Sequence, residues 1–474
     1  MSRKLKLLFC CADYWPSVGG VQEVMRQIAD RMVVAGHEVT VATRWHPGRK
    51  LSVINGVNVR DFKAGGTIAY GLSGQIEEYR EFIRNFEADA ILIMAAQQWS
   101  FDALWPILDD LKARKVFIPC GFSGLYEPNF AQYFRELPDI LRKFDHLVFN
   151  AEKYRDIDFV RDIGLRNFTV VPNGISEAEF EQEPDGRFRQ KLAIPQDAFL
   201  FLTVGNPIEG KGHRDVVDAF ARIDTGGQSA VLLCIADWPG SGARSSGRGG
   251  FANLLTKAMN SELGVAISHA RAAARRLLHI IRVEGLDGIR QLGRRKLAQR
   301  KTISARVQPL QSIESMAAKA SGQPYKRVIL TNLERQDLIQ AYLAADLFVF
   351  ASQIEYSPLV LFEAAAAGTP FLTVPVGNAD EIVRWTGGGL LCEAAKDSKG
   401  YTRVDPAMLA DAMARCLRDR DRLANLGATA RERWRNHFTW KIVAGYYEDI
   451  LSGRIPDVRI REIGREGKVA SGFA

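Results

Sequence analysis

Residues Leu347–Pro370 read LFVFASQIEYSPLVLFEAAAAGTP. The opening Leu347–Ala351 is a continuous apolar run, the pattern of a short strand buried on both faces. Beyond it, Ser357 is a preferred N-cap, Pro358 suits the first helical position, Gly368 suits the residue just past a helix, and Pro370 forbids continuation. The stretch predicts strand, loop and helix with sharp boundaries, the unit from which parallel α/β sheets are built. Glu355 falls in the loop at the carboxyl end of the strand, and Glu363 about a turn and a half into the helix. Ligands of open α/β sheets bind in that crevice, where a helix N-terminus offers free N–H groups to phosphate. Carboxylates on either side can accept hydrogen bonds from hydroxyls of a sugar or ribose; equally, both can be solvated surface charges.

The same alternation extends in both directions. At the start, Leu5–Cys10 and Glu38–Thr43 read as strands around a helix Val21–Val34, whose Val21, Val24, Met25, Ile28 and Met32 recur at helical spacing. Ala90–Met94, Lys115–Pro119, His146–Asn150 and Phe168–Val171 read as further buried strands, with helices expected over Tyr79–Phe86 and Phe101–Lys112. A second set opens at Phe199–Val204 and runs through a helix Arg214–Ala221 to Ala230–Ala236. It resumes at Arg327–Leu330, passes through a helix Asp337–Ala344 and reaches Leu347. Two α/β domains follow, 1–173 and 174–436, with a cleft between them. Residues 240–325 break the alternation as a mainly helical insertion in the second domain, 437–452 form a last helix, and 453–474 a tail.

The 474 residues are 47% hydrophobic and 25% charged, which is globular composition far from disorder. No apolar run reaches bilayer-spanning length and Leu7–Ala12 is too short for a signal-peptide core, so the expectation is a soluble chain that is not exported. The six cysteines form no CxxC pair, which favours reduced thiols in a cytoplasm over disulfides or zinc. Net charge is +8, but Arg244–Arg327 alone holds 17 Lys and Arg against four acids, so the rest of the chain is net acidic. Arguments about anionic partners therefore concern that segment. Its basic residues recur among leucines and isoleucines without interleaved aromatics, a mixture suited to an anionic membrane surface and poorly suited to nucleic acid, or else a solvated helical hairpin.

Two glycine loops add to the site. Gly205–Gly212 follows a strand, precedes a helix and satisfies G-x-x-x-x-G-K, but Gly212 stands where a P-loop needs Ser or Thr for Mg²⁺. Lys211 can meet a diphosphate as a point charge or be a surface lysine. A P-loop phosphotransferase remains an alternative, as does a non-catalytic protein that binds sugar nucleotides. The loop ending in Gly19-Gly20 is too long for a GxGxxG dinucleotide turn, which disfavours a nicotinamide enzyme; it permits close backbone approach to a phosphate or is a plain turn.

In order, the Gly19-Gly20 loop, Pro172-Asn173-Gly174, the Val204–Gly212 loop, Ala344–Ser352, the E-x7-E pair Glu355 and Glu363, Ala364–Pro370, and Phe438-Thr439-Trp440 before a final helix resemble retaining glycosyltransferases of family 4. The resemblance covers nearly the whole chain outside the insertion. It implies a GT-B fold, two Rossmann-like domains facing across a cleft with the last helix crossing back to the first. It also implies transfer from a nucleotide diphosphate sugar with retention, needing neither metal nor cofactor, and, beside GT-B transferases, a sugar-nucleotide epimerase is a further option. By residue, the resemblance gives Glu363 the ribose hydroxyls, Lys211 and the Asn206 loop the diphosphate, and Gly19 and Gly20 the diphosphate from the opposite domain. Glu355 takes the donor sugar as the catalytic carboxylate, and Ser357, Leu359 and Val360 in the Tyr356–Val360 loop supply N–H groups to the phosphates. Cys120, Gly121 and Asn173 fall on the acceptor side, the acceptor being a glycan or a lipid-linked hydroxyl. Three positions depart from the pattern: Asn206 replaces a common Arg, Tyr356-Ser357-Pro358 replaces a glycine-rich loop, and Cys120 stands where a histidine is often found. The expected location is the cytoplasm, peripheral to the inner face of the cell membrane.

Overall fold

A computed structural model describes residues 3–238, 313–398, 400–460 and 462–463. Most of the expected basic insertion and the end of the tail lie outside the described residues.

The first domain is an eight-stranded sheet. In chain order its strands are β1 (Lys6–Cys10), β2 (Glu38–Arg44), β3 (Val53–Ile54) and β4 (Val57–Phe62). A small hairpin of β5 (Ala64–Thr67) and β6 (Gly71–Gly74) precedes β7 (Ala90–Met94), β8 (Arg114–Ile118), β9 (His146–Phe149) and β10 (Phe168–Val170). The sheet order is β10-β9-β8-β7-β1-β2-β4-β3, parallel except for the β3–β4 edge pair. Chain order reverses between β1 and β7, so the loops after these two strands diverge and leave a crevice. The helix Gly20–Val34 buries Val24, Met25, Ile28 and Met32 on the sheet and ends at Ala35-Gly36, with Gly36 left-handed.

The expected helix Phe101–Lys112 does not form. Instead a single turn Trp99–Asp102 and a 3-10 turn Trp105–Ile107 wind through the core. Every residue from Trp99 to Trp105 is buried, as are Ile107 and Leu108, so this stretch has no continuous solvent-facing stripe, and Pro106 removes a helical hydrogen bond.

The second domain carries six parallel strands: β11 (Phe199–Val204), β12 (Ala230–Ile235), β13 (Lys326–Thr331), β14 (Leu347–Phe350), β15 (Phe371–Thr373) and β16 (Gly389–Leu391). Their order, β13-β12-β11-β14-β15-β16, is that of a doubly wound sheet with its switch point between β11 and β14.

Two chain segments cross between the domains. Ile175 N–H donates to Phe438 O at 2.9 Å, and Trp440 N–H donates to Ile175 O at 3.1 Å. A Cβ on Gly174 would stand 3.0 Å from the Trp440 Cα, which is why glycine occupies this crossing. Beyond it the helix Trp440–Leu451, capped by the Thr439 side chain, buries Val443, Tyr447 and Ile450 in the first domain's core with Leu7, Phe9 and Ile28.

Candidate active site

The second domain's switch point is built from two loops stitched together. Gly212 closes the first, with φ 73°, and a Cβ there would lie 1.9 Å from the Ala351 carbonyl oxygen. Gln353 N–H donates to Gly210 O at 2.9 Å, and the Ser352 hydroxyl lies 3.1 Å from the same oxygen and 2.8 Å from Glu355 Oε1. These contacts bring Lys211 Nζ to 2.5 Å from Glu355 Oε1. Two residues 144 apart thus form one half-buried ion pair at the mouth of the crevice. Asn206 is exposed in the same loop. Since any Cβ at 212 collides with backbone, the serine or threonine of a metal-binding P-loop cannot stand here, and the phosphotransferase alternative is set aside.

The adjoining helix spans Leu359–Ala367, capped by Pro358 and ended by left-handed Gly368. Ser357 is not the cap: the Asn173 amide donates to its hydroxyl at 3.1 Å and to its carbonyl at 3.2 Å, so the helix begins one residue later than the sequence predicts. Glu363 is buried and pairs with Arg335, whose guanidinium also grips Glu179 with contacts of 2.8 and 3.2 Å. Burial opposes the Arg335 charge, but Glu363 and Glu179 outweigh it and hold its pKa above the ordinary value. The phenol of Tyr342 is pushed up by burial and by the Glu363 charge. Nothing in the spacing of the chain tied Arg335 to Glu363. One signal was available: Arg335 opens the helix Arg335–Ala344, where a cation opposes the helix dipole and calls for a local acid.

Across the cleft, Gly20 opens the helix Gly20–Val34, and a Cβ on it would lie 3.8 Å from the Leu359 Cδ1. Gly19 is extended at φ 170°. Leu359 packs against the cores of both domains. The turns after β7 and β8 hold Ala95, Gln97, Cys120, Gly121 and Phe122 in left-handed conformations. That concentration of strained backbone marks a shaped surface at the first domain's own switch point. Burial and the nearby Asp156 push the Cys120 thiol up to about 12, so it stays protonated at neutral pH. His213 is buried edge-on against Trp238, and burial lowers its pKa to about 4, giving a neutral packing group.

The residues expected on the acceptor side lie along a seam between the domains. Gly121 faces the rings of Tyr154 and Tyr356, and Asn173 holds Ser357. The seam continues through Glu381, which accepts hydrogen bonds from the N–H groups of Glu152 at 2.7 Å and Lys153 at 2.8 Å. Burial raises its pKa to about 7, with the Asp380 and Glu152 charges adding to the shift and the two N–H bonds opposing it. Sequence reading had no access to this contact, because an acid in a helix's first turn is ordinary.

Residues 18–179 match the family model described as Glycosyltransferase Family 4, and residues 311–433 match that of Glycosyl transferases group 1. A D-inositol 3-phosphate glycosyltransferase of Nocardia farcinica is 41% identical over 93 residues, 20% of this chain and 19% of the relative. A GDP-mannose:cellobiosyl-diphosphopolyprenol alpha-mannosyltransferase of Komagataeibacter xylinus is 24% identical over 192 residues, 37% of this chain and 46% of the relative. The chain thus spans less than half the length of these curated relatives. Among solved structures, the sucrose-phosphate synthase of Thermosynechococcus elongatus superposes with a TM-score of 0.61 at 19% identity, covering 94% of this chain and 98% of that one. Anabaena HepE in complex with UDP gives 0.60 at 16% identity, covering 94% and 100%. At such identities the likeness shows the fold, which is GT-B: two Rossmann-like domains.

Proposed function

Because the chain belongs to the group 1 glycosyltransferases of family 4, we propose that it moves a sugar from a nucleotide diphosphate sugar to a hydroxyl of a glycan or lipid-linked acceptor, with retention of configuration and without a metal. The observation that carries this reading is the meeting of Lys211 and Glu355 at the β11–β14 switch point, with Glu363 one loop away. The site then holds a cation for a diphosphate, a carboxylate for sugar hydroxyls and a second carboxylate for ribose, one partner for each part of a nucleotide sugar.

In this reading Glu363, held by Arg335, accepts the ribose hydroxyls. Lys211 turns from Glu355 to the diphosphate and neutralises charge as the bond to the sugar breaks. The N–H groups of Leu359 and Val360 and the Gly19-Gly20 backbone add to the phosphate cradle, with Asn206 at its edge. Glu355, released from Lys211 but still beside Ser352, accepts donor-sugar hydroxyls and orients the ring. The acceptor hydroxyl attacks on the face from which the nucleotide leaves, and its proton passes to the departing phosphate, so no protein nucleophile is required. Relatives named for GDP-mannose and for polyprenol-linked and phosphatidylinositol acceptors support the nucleotide-sugar and lipid-linked parts of the reading. A cytoplasmic location, with peripheral attachment to an anionic membrane through segment 244–327, belongs to the same proposal. Among the described residues no helix is long and apolar enough to cross a membrane.

The test is mass spectrometry of products after incubation with a panel of nucleotide sugars and candidate acceptors in excess chelator. Sugar transfer that survives chelation supports the reading. Binding of nucleotide sugars with neither transfer nor hydrolysis would instead favour a non-catalytic sugar-nucleotide binder. Liposome co-sedimentation of the full chain and of a variant lacking residues 244–312, which keeps β13 whole, tests the membrane part.

A further inference from the structure

The loop that carries Glu355 is held from both domains at once. On one side, Gly121 is left-handed at φ 95°, and a Cβ there would lie 3.1 Å from the Tyr356 ring. On the other, Gly377 is left-handed at φ 59°, and a Cβ there would lie 2.3 Å from the Tyr356 carbonyl oxygen. The loop is therefore clamped between two glycines from different domains, each bare where the loop passes. Hydrogen bonds fix its height. Tyr154 O–H donates to Glu355 O at 2.7 Å, and Asn378 N–H donates to Tyr356 O at 2.9 Å. The Tyr356 hydroxyl accepts from Asn150 N–H at 2.9 Å and bonds to the Asp156 carboxyl, which also receives Gly121 N–H at 2.8 Å. The Asn378 amide returns across the seam to Asn150 O at 2.8 Å. A glycine-rich loop could make none of the ring or hydroxyl contacts.

We propose that Tyr356 is a positioning residue, tying the Glu355 loop to the first domain so that the Glu355 carboxylate is correctly presented to the donor sugar only while the two domains are docked. This rests on the donor-site reading above and deepens it. The ring fills the seam at Gly121, while the hydroxyl reads whether Asn150 and Asp156 are in place. Bare nucleotide diphosphate, held by Lys211 and Glu363, does not depend on this tie; sugar orientation does.

Tyr356→Phe keeps the ring and its packing and removes only the hydroxyl. Four measurements are compared with the parent: the thermal midpoint, the dissociation constants of UDP and GDP, kcat and KM for the nucleotide sugar found active, and hydrogen exchange at the Asn150 amide. The expected result is a midpoint lower by only about 2–4 °C, the cost of the lost hydrogen bonds, nucleotide affinity within about twofold, kcat lower by about tenfold or more with KM little changed, and faster exchange at Asn150. Tyr356→Ala, which loses ring and hydroxyl, should fall further in kcat, so that Tyr356→Phe counts as partial rescue. An unchanged kcat in Tyr356→Phe overturns the proposal, as does unchanged Asn150 protection. If the parent itself turns over no nucleotide sugar, the functional reading fails separately, and Asn150 protection alone then decides whether the tie exists.

Discussion

The Arg335 guanidinium lies 2.5 Å from Glu363 Oε1, and the carboxylate it holds is buried in the helix that follows the Glu355 loop. A buried carboxylate that loses its cation is costly to keep charged, and a ribose pair that loses the carboxylate has no acceptor. Glu363→Ala is expected to weaken UDP or GDP binding by about 1–3 kcal/mol, and Arg335→Ala by a similar amount. Arg335→Lys should recover only part, because an ammonium cannot grip Glu363 and Glu179 as a fork. Titration calorimetry measures all three; parental affinity in both alanine variants would remove the ribose from this helix.

Lys211 and Glu355 share one ion pair but should separate by function. Lys211→Ala removes the cation of the β11 loop and is expected to lose about 1–3 kcal/mol of nucleotide diphosphate affinity. Glu355→Gln keeps the size and removes the charge. Its expected effect is a fall in turnover of about a hundredfold with bare nucleotide affinity nearly unchanged. Equal loss of nucleotide affinity in Glu355→Gln would move Glu355 out of the sugar subsite.

What could be read from the chain was local. The β14 strand and the Gly368 stop follow from a single contiguous pattern, and so does the placing of Glu355 and Glu363. Even there the cap moved from Ser357 to Pro358, because Ser357 is engaged by Asn173, 184 residues away in sequence. Phe101–Lys112 departs from the expected helix for the opposite reason: Phe101–Trp105 is wholly buried, and the exposed Asp109, Asp110 and Lys112 cluster at the end of the segment instead of lining one helical face. The glycines were visible, yet their purposes were not. Gly174 makes room for Trp440, Gly212 for the Ala351 carbonyl, and Gly121 for Tyr356, and in each case the neighbour comes from a distant segment. Arg335 and Glu381 act through partners that only the folded chain supplies.

Glu381 should give the protein a pH signature. Its folded pKa of about 7 lies above the ordinary 4.5, so between these values the folded state holds a proton that the unfolded state has released. Its contribution is therefore fully present below about pH 4.5 and is lost as pH rises through about 7. Glu381→Gln is neutral throughout and lacks this slope. The stability difference between parent and Glu381→Gln should shift against the parent by on the order of 1–3 kcal/mol from pH 5 to pH 8. Denaturant unfolding of both proteins across that range checks it, since all other titrating groups cancel in the difference; a difference that stays constant with pH would mean that Glu381 titrates normally in the fold.

Gly212→Ser decides between two readings of the β11 loop. On the sequence alone, serine at 212 would complete the G-x-x-x-x-G-K-S pattern and supply a hydroxyl for Mg²⁺. In the fold, the added Cβ would lie 1.9 Å from the Ala351 oxygen and 3.0 Å from the Ser352 nitrogen, on a residue at φ 73°. Neither neighbour is a flexible side chain that can move away. Ala351 and Ser352 lead directly into the Glu355 loop, so any relief displaces that loop from Lys211. The variant is expected to lose about 2–4 kcal/mol of stability and most of its glycosyl transfer, and to gain no Mg²⁺-dependent turnover of ATP. Thermal unfolding together with an ATP assay in the presence of Mg²⁺ tests both halves. Parental stability would mean that the loop is looser than its contacts indicate, and Mg²⁺-dependent ATP turnover would restore the phosphotransferase reading.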